Sequence, residues 1–356
     1  MVNIILNAIF KSKMRLSAIE RYIDLLPAAR DMPNVEENNT DEVRIAAVQR
    51  EIKPVKRIES YIDMINGFIA EACKQRCRLV VFPEYNFFDL FGFIPGFIFL
   101  NNYLNKKAVA DKGLTEDKSG ENGLDASLFS PVFRAVSASI EDGLRRIFSL
   151  LAKKHGIYVY TGSFLVCRDQ KLYNAGFLYG PDGRCIGSQF KIHLTDFEEK
   201  LGLSRGSSLS VHHLDIGRIA FPICMDATYF ETFYAAAEQG AELIILPIAN
   251  MEEYSLPRAI RGIWGRVQES YVYGIKASLN GWIAGMHFTG KAGIFAPLEL
   301  TDKKDGVLAI SSDYQGNELV ICGVDYRKLR ECRQQAEYYG DCNPVFEKGY
   351  VQKTYR

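Results

Sequence analysis

The sequence has no excess of charge of either sign. Its 356 residues include 43 Lys plus Arg and 43 Asp plus Glu, which gives a formal net charge of zero. A neutral chain has no general electrostatic attraction for nucleic acid or for an anionic membrane surface. We therefore expect neither as a partner. Because 47% of the residues are hydrophobic, the chain can bury a sizeable core, as a globular protein does.

Long apolar runs are also missing. The longest, FGFIPGFIFL at 91–100, contains Pro95 and is far shorter than the roughly 20 residues that span a bilayer. The first 20 residues lack a basic lead-in, a continuous apolar run and a small-residue cleavage site, so they do not resemble a signal peptide. The sequence predicts no transmembrane helix and no leader.

Cysteine is sparse and carries no paired spacing. A disulfide scaffold needs a denser set in a short chain, and a zinc site needs ligands at close intervals. We therefore expect a reducing, cytoplasmic environment. The eight cysteines are Cys73, Cys77, Cys167, Cys185, Cys224, Cys322, Cys332 and Cys342.

Short β-branched runs alternate with helical stretches from Val43 onwards, which is typical of an α/β fold. Runs joined by a Pro-Asp-Gly turn add an antiparallel hairpin, so the pattern favours mixed sheets. We predict a helical N-terminal extension and linker at 1–40, one domain at 41–335 and a C-terminal tail at 336–356. The polar, aperiodic segment 105–127 is interpreted as a surface loop inserted in the domain.

Three reactive residues each follow an apolar, strand-like run. Glu84 comes after LVVFP, Lys191 after IGSQF and Cys224 after RIAFPI. Ligand sites in open α/β sheets gather at the carboxyl ends of strands. One such residue alone is more often structural than catalytic, since carboxylates pair and buried thiols pack as small hydrophobes.

Together, these three residues resemble the catalytic set of the nitrilase superfamily of carbon–nitrogen hydrolases. VVFPEY at 80–85 resembles its strand ending in Pro-Glu, KIHL at 191–194 its Lys-x-His-Leu, and ICMDATYFE at 223–231 its Ile-Cys-x-Asp element. Flanking similarity runs from VRIAAVQ to GVDYRKLRECR. The resemblance implies a nitrilase-like α-β-β-α sandwich with mixed β-sheets.

The resemblance also implies the roles of these residues, and their chemistry suits those roles. A thiol with an ordinary pKa of about 8.5 is mostly protonated at neutral pH, so Cys224 needs a base, and Glu84 is the candidate. Attack on an amide carbonyl creates a negative oxygen, which Lys191 and the amide of Met225 can stabilise. Glu84 can then pass its proton to the leaving nitrogen.

A second carboxylate is expected near Glu84 and Lys191. In the family it often precedes a glycine by seven residues, and here the interval to Gly206 selects Glu199. Its neighbour Glu198 is the alternative.

Substrate-binding residues are harder to assign. We expect Met225 beside the nucleophile, Tyr85 beside the base, and Arg258, whose guanidinium could bind a carboxylate. The aromatic run YNFFDLFGFIPGF at 85–97 either lines a pocket or fills the core. Three departures from the family pattern, Gln189, Met225 and Arg205, weaken inference about the substrate but not about the reaction.

The favoured function is hydrolysis of a small linear amide through a Cys224 thioester, with no cofactor. The resemblance of Cys-x-Asp to amidases favours an amide over a nitrile. Alternatives are a hydrolase of N-carbamoyl amino acids or polyamines, and a catalytically silent binding protein on the same scaffold. His212 and His213 face opposite sides of a strand and lack a third ligand at suitable spacing, so we expect no metal.

A helix predicted from about Tyr229 to Glu238 has more aromatic surface than one exposed face should carry, because it includes Phe230, Phe233 and Tyr234. We therefore expect a homodimer or a larger homo-oligomer that buries part of this helix.

Overall fold

The protein is described by a computed structural model that covers residues 2–28, 42–112, 130–337, 343–346 and 348–349. The helices are α1 (Val2–Lys13), α2 (Leu16–Leu25), α3 (Ile58–Lys74), α4 (Phe97–Lys112), α5 (Ser130–His155), α6 (Asp196–Lys200), α7 (Phe230–Glu238), α8 (Leu256–Ala259), α9 (Gly265–Ser270), α10 (Tyr326–Gln335) and α11 (Pro344–Phe346). The strands are β1 (Glu42–Glu51), β2 (Leu79–Val81), β3 (Tyr158–Arg168), β4 (Lys171–Tyr179), β5 (Cys185–Phe190), β6 (His212–Leu214), β7 (Gly217–Ala220), β8 (Leu243–Ile248), β9 (Tyr273–Ile283), β10 (Met286–Phe288), β11 (Gly293–Phe295), β12 (Val307–Ile310) and β13 (Glu318–Asp325).

These strands form one mixed sheet that divides into two halves. Its order is β5-β4-β3-β2-β1-β9-β8-β7-β6, and the central run from β3 to β7 is parallel. The halves are joined where the end of β1, Gln49–Glu51, pairs with Ser278–Asn280 of β9. Nearer the start of each strand, β1 pairs with β13 and β9 pairs with β11. The two halves therefore separate there and stack face to face.

Three apolar layers show the sandwich directly. Between the halves, side chains such as Ile45 of β1 and Val81 of β2 pack against Ile245 of β8. One outer face of the sheet is covered by α3 and α5, and the other by α7 and α9. The predicted α-β-β-α sandwich is confirmed. The central strands read as near-continuous apolar runs because they are covered on both faces.

The first two helices pack into the same core as the rest of the chain. Phe10 of α1 and Ile19 and Ile23 of α2 are buried in the layer formed with α5. Those isoleucines are therefore covered within the chain, and they do not require a second subunit for burial. Residues 29–41, which include most of the predicted linker, lie outside the described residues.

The predicted inserted loop begins later than expected. Residues 105–112 belong to α4, so the prediction of a loop is wrong for that part. The physical reason is tertiary: Asn101 and Asn105 on α4 accept hydrogen bonds from the backbone N–H groups of Ala284 and Gly285, at 2.7 and 2.8 Å. Residues 113–127 lie outside the described part of the chain, as does most of the predicted tail, beyond Glu337. Among the described helices, none combines the length and the hydrophobicity that a membrane span requires.

A buried ion pair anchors the segment that follows β2. Arg50 and Asp89 are fully buried, their Nη2 and Oδ2 atoms are 2.5 Å apart, and Arg50 Nε donates to Asn86 Oδ1 at 2.6 Å. Asp89 also accepts the backbone N–H of Lys53 at 2.7 Å. This pair ties the chain just beyond Glu84 to the end of β1.

We expect Asp89→Asn to lower the free energy of unfolding by about 3 kcal/mol, because it leaves the Arg50 guanidinium buried without its counter-charge. Asp182→Asn is the matched control, since it breaks an Arg–Asp pair of the same length on the surface, with Arg184. That variant should unfold almost like the parent. Urea unfolding measures both, and equal losses in the two variants would contradict a special role for the buried pair.

Candidate active site

Glu84 follows β2 through Phe82 and Pro83 and is 1% exposed. The backbone of Pro83 passes directly against Gly162 of β3, where a Cβ would lie 1.9 Å from the Pro83 carbonyl oxygen. Only glycine leaves room for this approach. The carboxylate of Glu84 is therefore held at the end of the parallel strands, on the edge where ligands gather in such sheets.

Lys191 follows β5, and its backbone N–H donates to the Asn174 carbonyl on β4 at 2.9 Å. Its side chain is 1% exposed. The ammonium nitrogen lies 2.8 Å from Glu84 Oε1 and 2.8 Å from Glu198 Oε2. The lysine therefore bridges two buried carboxylates, which together offset the cost of burying its charge.

The second carboxylate is Glu198, and the prediction of Glu199 for that position is wrong. Glu198 is 1% exposed and its Oε1 accepts from Lys191 Nζ at 2.9 Å. Glu199 is about half exposed and pairs instead with Arg205. Successive residues of a helix point about 100° apart, so only one of the two can face the lysine.

The start of α6 decides which glutamate faces inwards. Thr195 caps this helix: its hydroxyl accepts the Glu198 N–H at 3.3 Å, while its own N–H donates to Glu198 Oε2 at 2.9 Å. This reciprocal capping box is visible in the sequence as TDFE at 195–198. That signal selects Glu198, whereas the interval to Gly206 misleads by one residue.

Cys224 opens a short 3-10 turn, Cys224–Thr228, that follows β7. Its φ of 44° lies in the left-handed region, which is strained for any residue other than glycine. The buried carboxylate of Asp226 holds this turn, because it accepts the N–H of Ile223 at 2.9 Å and that of His193 at 2.7 Å. Asp226 therefore ties the cysteine's turn to the segment just beyond Lys191.

The thiol of Cys224 is partly buried, and it lies near enough to Glu84 for each group to shift the pKa of the other. Its Sγ also lies 3.6 Å from Asn250 Oδ1. Glu84 Oε2 accepts the backbone N–H of Ala249 at 3.0 Å. The structure therefore brings together Glu84, Lys191 and Cys224, as the sequence led us to expect, at one end of the sandwich.

Sequence reasoning missed three contributors to the site. Asn174 Nδ2 donates to Glu84 Oε1 at 2.9 Å and to Glu198 Oε1 at 3.0 Å. Asn250 and the amide of Ala249 extend from the end of β8. A polar residue after the apolar run LIILPI was the available signal for Asn250. A single asparagine within a strand offered no comparable signal for Asn174.

The pKa values of the two carboxylates, Glu84 and Glu198, are shifted in opposite directions. Burial, aided by the charge of Glu198, raises the pKa of Glu84 above its usual value despite Lys191. Burial also acts to raise the pKa of Glu198, but Lys191, the Thr195 N–H and the Tyr85 hydroxyl together hold it below its usual value. Such a divergence assigns a proton acceptor and a permanent anion. Glu84 is the better base, and Glu198 stays ionised.

The thiol and the ammonium both keep their protons. Burial, and then the charge of Glu84, raises the pKa of Cys224 well above that of an ordinary thiol. Burial acts to lower the pKa of Lys191, but Glu84, Cys224 and Glu198 outweigh it and raise the pKa. The resting site therefore contains a neutral thiol beside a base and a fixed cation, which is what a nucleophile activated during attack requires.

The predicted substrate-binding residues are distributed differently. Tyr85 lies inside the cluster, where its hydroxyl donates to Glu198 Oε1 at 2.6 Å, and its ring stacks on Phe88 at 4.9 Å. Met225 follows Cys224 and is partly buried. Arg258 lies on the exposed helix α8, where its Nε is 3.7 Å from Glu252 Oε2, and no described contact brings it to the cluster. Whether any of the three contacts substrate stays a prediction.

Two of the histidines and part of the aromatic run contact residues outside the Glu84–Lys191–Glu198 cluster. His193 Nδ1 lies 3.1 Å from Asp226 Oδ1, and the ring of His212 stacks on Phe221. Phe87 and Phe88 of the aromatic run are buried in the main core. Within the described ranges, no three His, Cys, Asp or Glu side chains are grouped to hold a metal ion.

A cysteine beside a buried Glu-Lys-Glu cluster, at the end of an α-β-β-α sandwich, defines the nitrilase superfamily as the class. The sequence profile of carbon–nitrogen hydrolases matches residues 44–298. The chain belongs to this family.

Individual relatives agree with that assignment. The chain is 27% identical over 301 residues to the "probable hydrolase YhcX" of Bacillus subtilis, covering 82% of this chain and 52% of that protein. It is 27% identical over 200 residues to omega-amidase NIT2 of Homo sapiens, covering 52% of this chain and 68% of that protein. The chain thus spans only about half of the Bacillus relative.

The fold is also found in a solved amidase. A variant of the amidase from Nesterenkonia sp. AN1, which carries the acetamide moiety of fluoroacetamide on its active-site cysteine, aligns with a TM-score of 0.63. The alignment covers 89% of this chain and all of that one, at 19% identity. At this identity the similarity establishes the fold alone.

The opposite pKa shifts of Glu84 and Glu198 predict how kcat/KM depends on pH. The acid limb of kcat/KM should lie above the ordinary glutamate pKa, since Glu84 must be ionised to accept the thiol proton. Glu198→Gln removes a negative charge that raises the pKa of Glu84, so the limb should move to lower pH while kcat falls. Glu199→Gln is the matched control and should alter neither. An acid limb unmoved by Glu198→Gln would contradict this coupling.

Proposed function

We propose that the protein hydrolyses the carbon–nitrogen bond of a small linear amide through a thioester on Cys224. The observation that carries the proposal is the Lys191 ammonium, held between Glu84 and Glu198 next to a protonated thiol. Membership of the carbon–nitrogen hydrolase family and the amidase names of several relatives support the same reaction.

The first half-reaction forms the acyl-enzyme. Glu84 takes the proton of Cys224 as the sulfur attacks the amide carbon, and the carbonyl oxygen becomes negative. Lys191 has three N–H donors; two are directed at the carboxylates, which leaves one for this oxygen. The amide of Met225 is the second candidate donor. When the tetrahedral intermediate collapses, Glu84 passes its proton to the departing nitrogen, and ammonia or an amine leaves.

The second half-reaction uses the same groups. A water molecule replaces the amine, gives a proton to Glu84 and attacks the thioester carbonyl. Collapse returns that proton to the sulfur and releases a carboxylic acid. Glu198 keeps its charge throughout, so it stabilises the lysine without competing for the proton.

Substitution of the nucleophile tests the reaction. Cys224→Ala should fold like the parent and lose at least nine-tenths of its ammonia release, because it lacks the sulfur that forms the acyl bond. The screen should include simple amides, ureido acids and nitriles, since a carbamoyl substrate would use the same residues. Mass spectrometry of the parent should trap an acyl adduct on Cys224 and on no other cysteine.

Two outcomes would count against this function. If Cys224→Ala still turned over substrate, Cys224 would not be the nucleophile. A parent protein that neither turns over any member of the panel nor labels at Cys224 with a thiol-reactive amide would favour the catalytically silent alternative.

We further propose that α7 contributes to a homo-oligomer. Phe230 on this helix is 47% exposed and Tyr229 just before it is 39% exposed, whereas Phe233 is fully buried against the chain's own sheet. Phe233 therefore belongs to the core and cannot serve an interface. The exposed rings leave an apolar surface that a second copy could cover.

Light scattering at micromolar concentration tests this surface. Phe230→Glu should reduce the mass of an assembled parent to that of the monomer, because a charge cannot be buried without a partner. Phe99→Glu, which alters an even more exposed ring on α4, is the matched control and should leave the mass unchanged. A parent that is strictly monomeric, or one that Phe99→Glu alone dissociates, would contradict the proposal.

A further inference from the structure

A second buried lysine lies outside the catalytic cluster. Lys276 is on β9, 6% exposed, with Leu246 of β8 and Gly293 of β11 as its in-register neighbours. Its side chain projects from the face of the sheet that packs against α7 and α9, opposite to the face of Ile275 in the inter-sheet core. The surroundings are therefore apolar.

Among the described residues, the ammonium of Lys276 has no partner of opposite charge. Its Nζ lies 5.3 Å from the centre of the Phe295 ring, and no hydrogen-bond acceptor or carboxylate among the described residues contacts it. Burial alone lowers the pKa of Lys276 to about 8. A cation buried in this way is costly unless a negative group accompanies it.

Ser278 adds a second unsatisfied donor. It is two residues further along β9, so its side chain projects from the same face as that of Lys276. It is fully buried, and its Oγ has no hydrogen-bond partner. A Cβ at Gly290 would lie 2.6 Å from this oxygen. The segment that follows β10 thus passes directly over the hydroxyl, and only a glycine fits at position 290 without contacting that oxygen.

The strand that carries the pair runs beside β8, which leads to the surroundings of Cys224. Ser278 is in register with Ile248, and two residues later the same chain reaches Asn250, whose Oδ1 is 3.6 Å from Cys224 Sγ. Thr289, just before Gly290, donates its N–H to the Asn250 carbonyl at 2.9 Å. Strand pairing with β8 and the hydrogen bond between Thr289 and Asn250 therefore link this part of β9 to the surroundings of Cys224.

We propose that Lys276 Nζ and Ser278 Oγ–H form a subsite that binds the carboxylate group of a short organic acid. Three ammonium hydrogens and one hydroxyl offer several donors and almost no acceptor, and an ionised carboxylate is acceptor-only. The site has a single cation, and Phe295, Leu246 and Ile248 belong to the apolar layer beside it. One positive charge in apolar surroundings suits a ligand with one negative charge and an apolar tail. Phosphate, with its greater charge and hydration, would need more donors than this site provides.

Two sources could supply the carboxylate, and both rest on the proposed amidase function. It is either the distal acid group of the amide substrate or the acid released as product. The existence of the subsite can be tested without turnover, so a failure of the subsite and a failure of the proposed reaction are distinguishable.

Binding is measured first, in the Cys224→Ala protein, from the melting temperature as ligand is added. Propionate should raise the melting temperature in a saturable way, whereas propionamide, its uncharged counterpart, and inorganic phosphate should have much weaker effects. Lys276→Met preserves length and apolar bulk and should raise the Kd for propionate about tenfold or more. Ser278→Ala should raise it by a smaller factor.

The matched control is Lys74→Met, which removes an exposed lysine on α3 and should leave the Kd unchanged. Three results would overturn the subsite: no saturable effect of propionate, the same Kd in Lys276→Met as in the parent, or an equal effect of propionamide. A stronger effect of phosphate than of propionate would overturn its assignment to organic carboxylates.

Kinetics of the active enzyme then separate the two sources. Succinamate and butyramide have similar length but differ in a terminal carboxylate. If the substrate's acid group occupies the subsite, Lys276→Met should lower kcat/KM for succinamate about tenfold relative to that for butyramide. If the product occupies it, the same variant should leave that ratio unchanged and weaken inhibition by propionate. A variant that changes neither the ratio nor the inhibition would overturn the subsite.

Discussion

The ammonium of Lys191 between Glu84 and Glu198 is the interaction on which the rest of the site depends. A buried lysine requires a counter-charge, and two carboxylates can share a buried space only when a cation separates them. The lysine therefore offsets the cost of burying each carboxylate, and the two carboxylates offset the cost of burying the lysine. Burial raises the pKa of both the Cys224 thiol and Glu84, and a neighbouring carboxylate adds to each shift: Glu84 for the thiol and Glu198 for Glu84.

This cluster draws its members from distant parts of the chain, and the sandwich is what brings them together. Glu84 ends β2 in one half of the sheet, while Ala249 and Asn250 follow β8 in the other half. The halves meet where β1 pairs with β9, so the ends of their parallel strands converge at one edge. Asp226 then fixes the cysteine's turn to the chain beyond Lys191 through backbone hydrogen bonds.

Lys276 on β9 has surroundings that differ in charge from those of Lys191. Lys191 is buried with two carboxylates and has a raised pKa, whereas Lys276 is buried with an aromatic ring and has a lowered one. In the proposed reaction, the cluster around Lys191, which supplies its own counter-charges, acts on a neutral amide. In the proposed subsite, the ligand supplies the negative charge that Lys276 lacks among the described residues.

Local patterns in the sequence were enough to predict the α/β class and to place Glu84, Lys191 and Cys224 at strand ends, because apolar runs followed by polar residues mark those ends. The sandwich and the grouping of the three residues in one site were implied by the resemblance to the nitrilase superfamily. The identity of the second carboxylate was encoded locally as well, in the Thr195 capping box, but a spacing rule pointed one residue too far. The roles of Asn174, Asn250 and Lys276 could not be predicted. Their significance comes from which groups surround them, and only the packing of the two sheet halves against the helices decides which charges and donors meet.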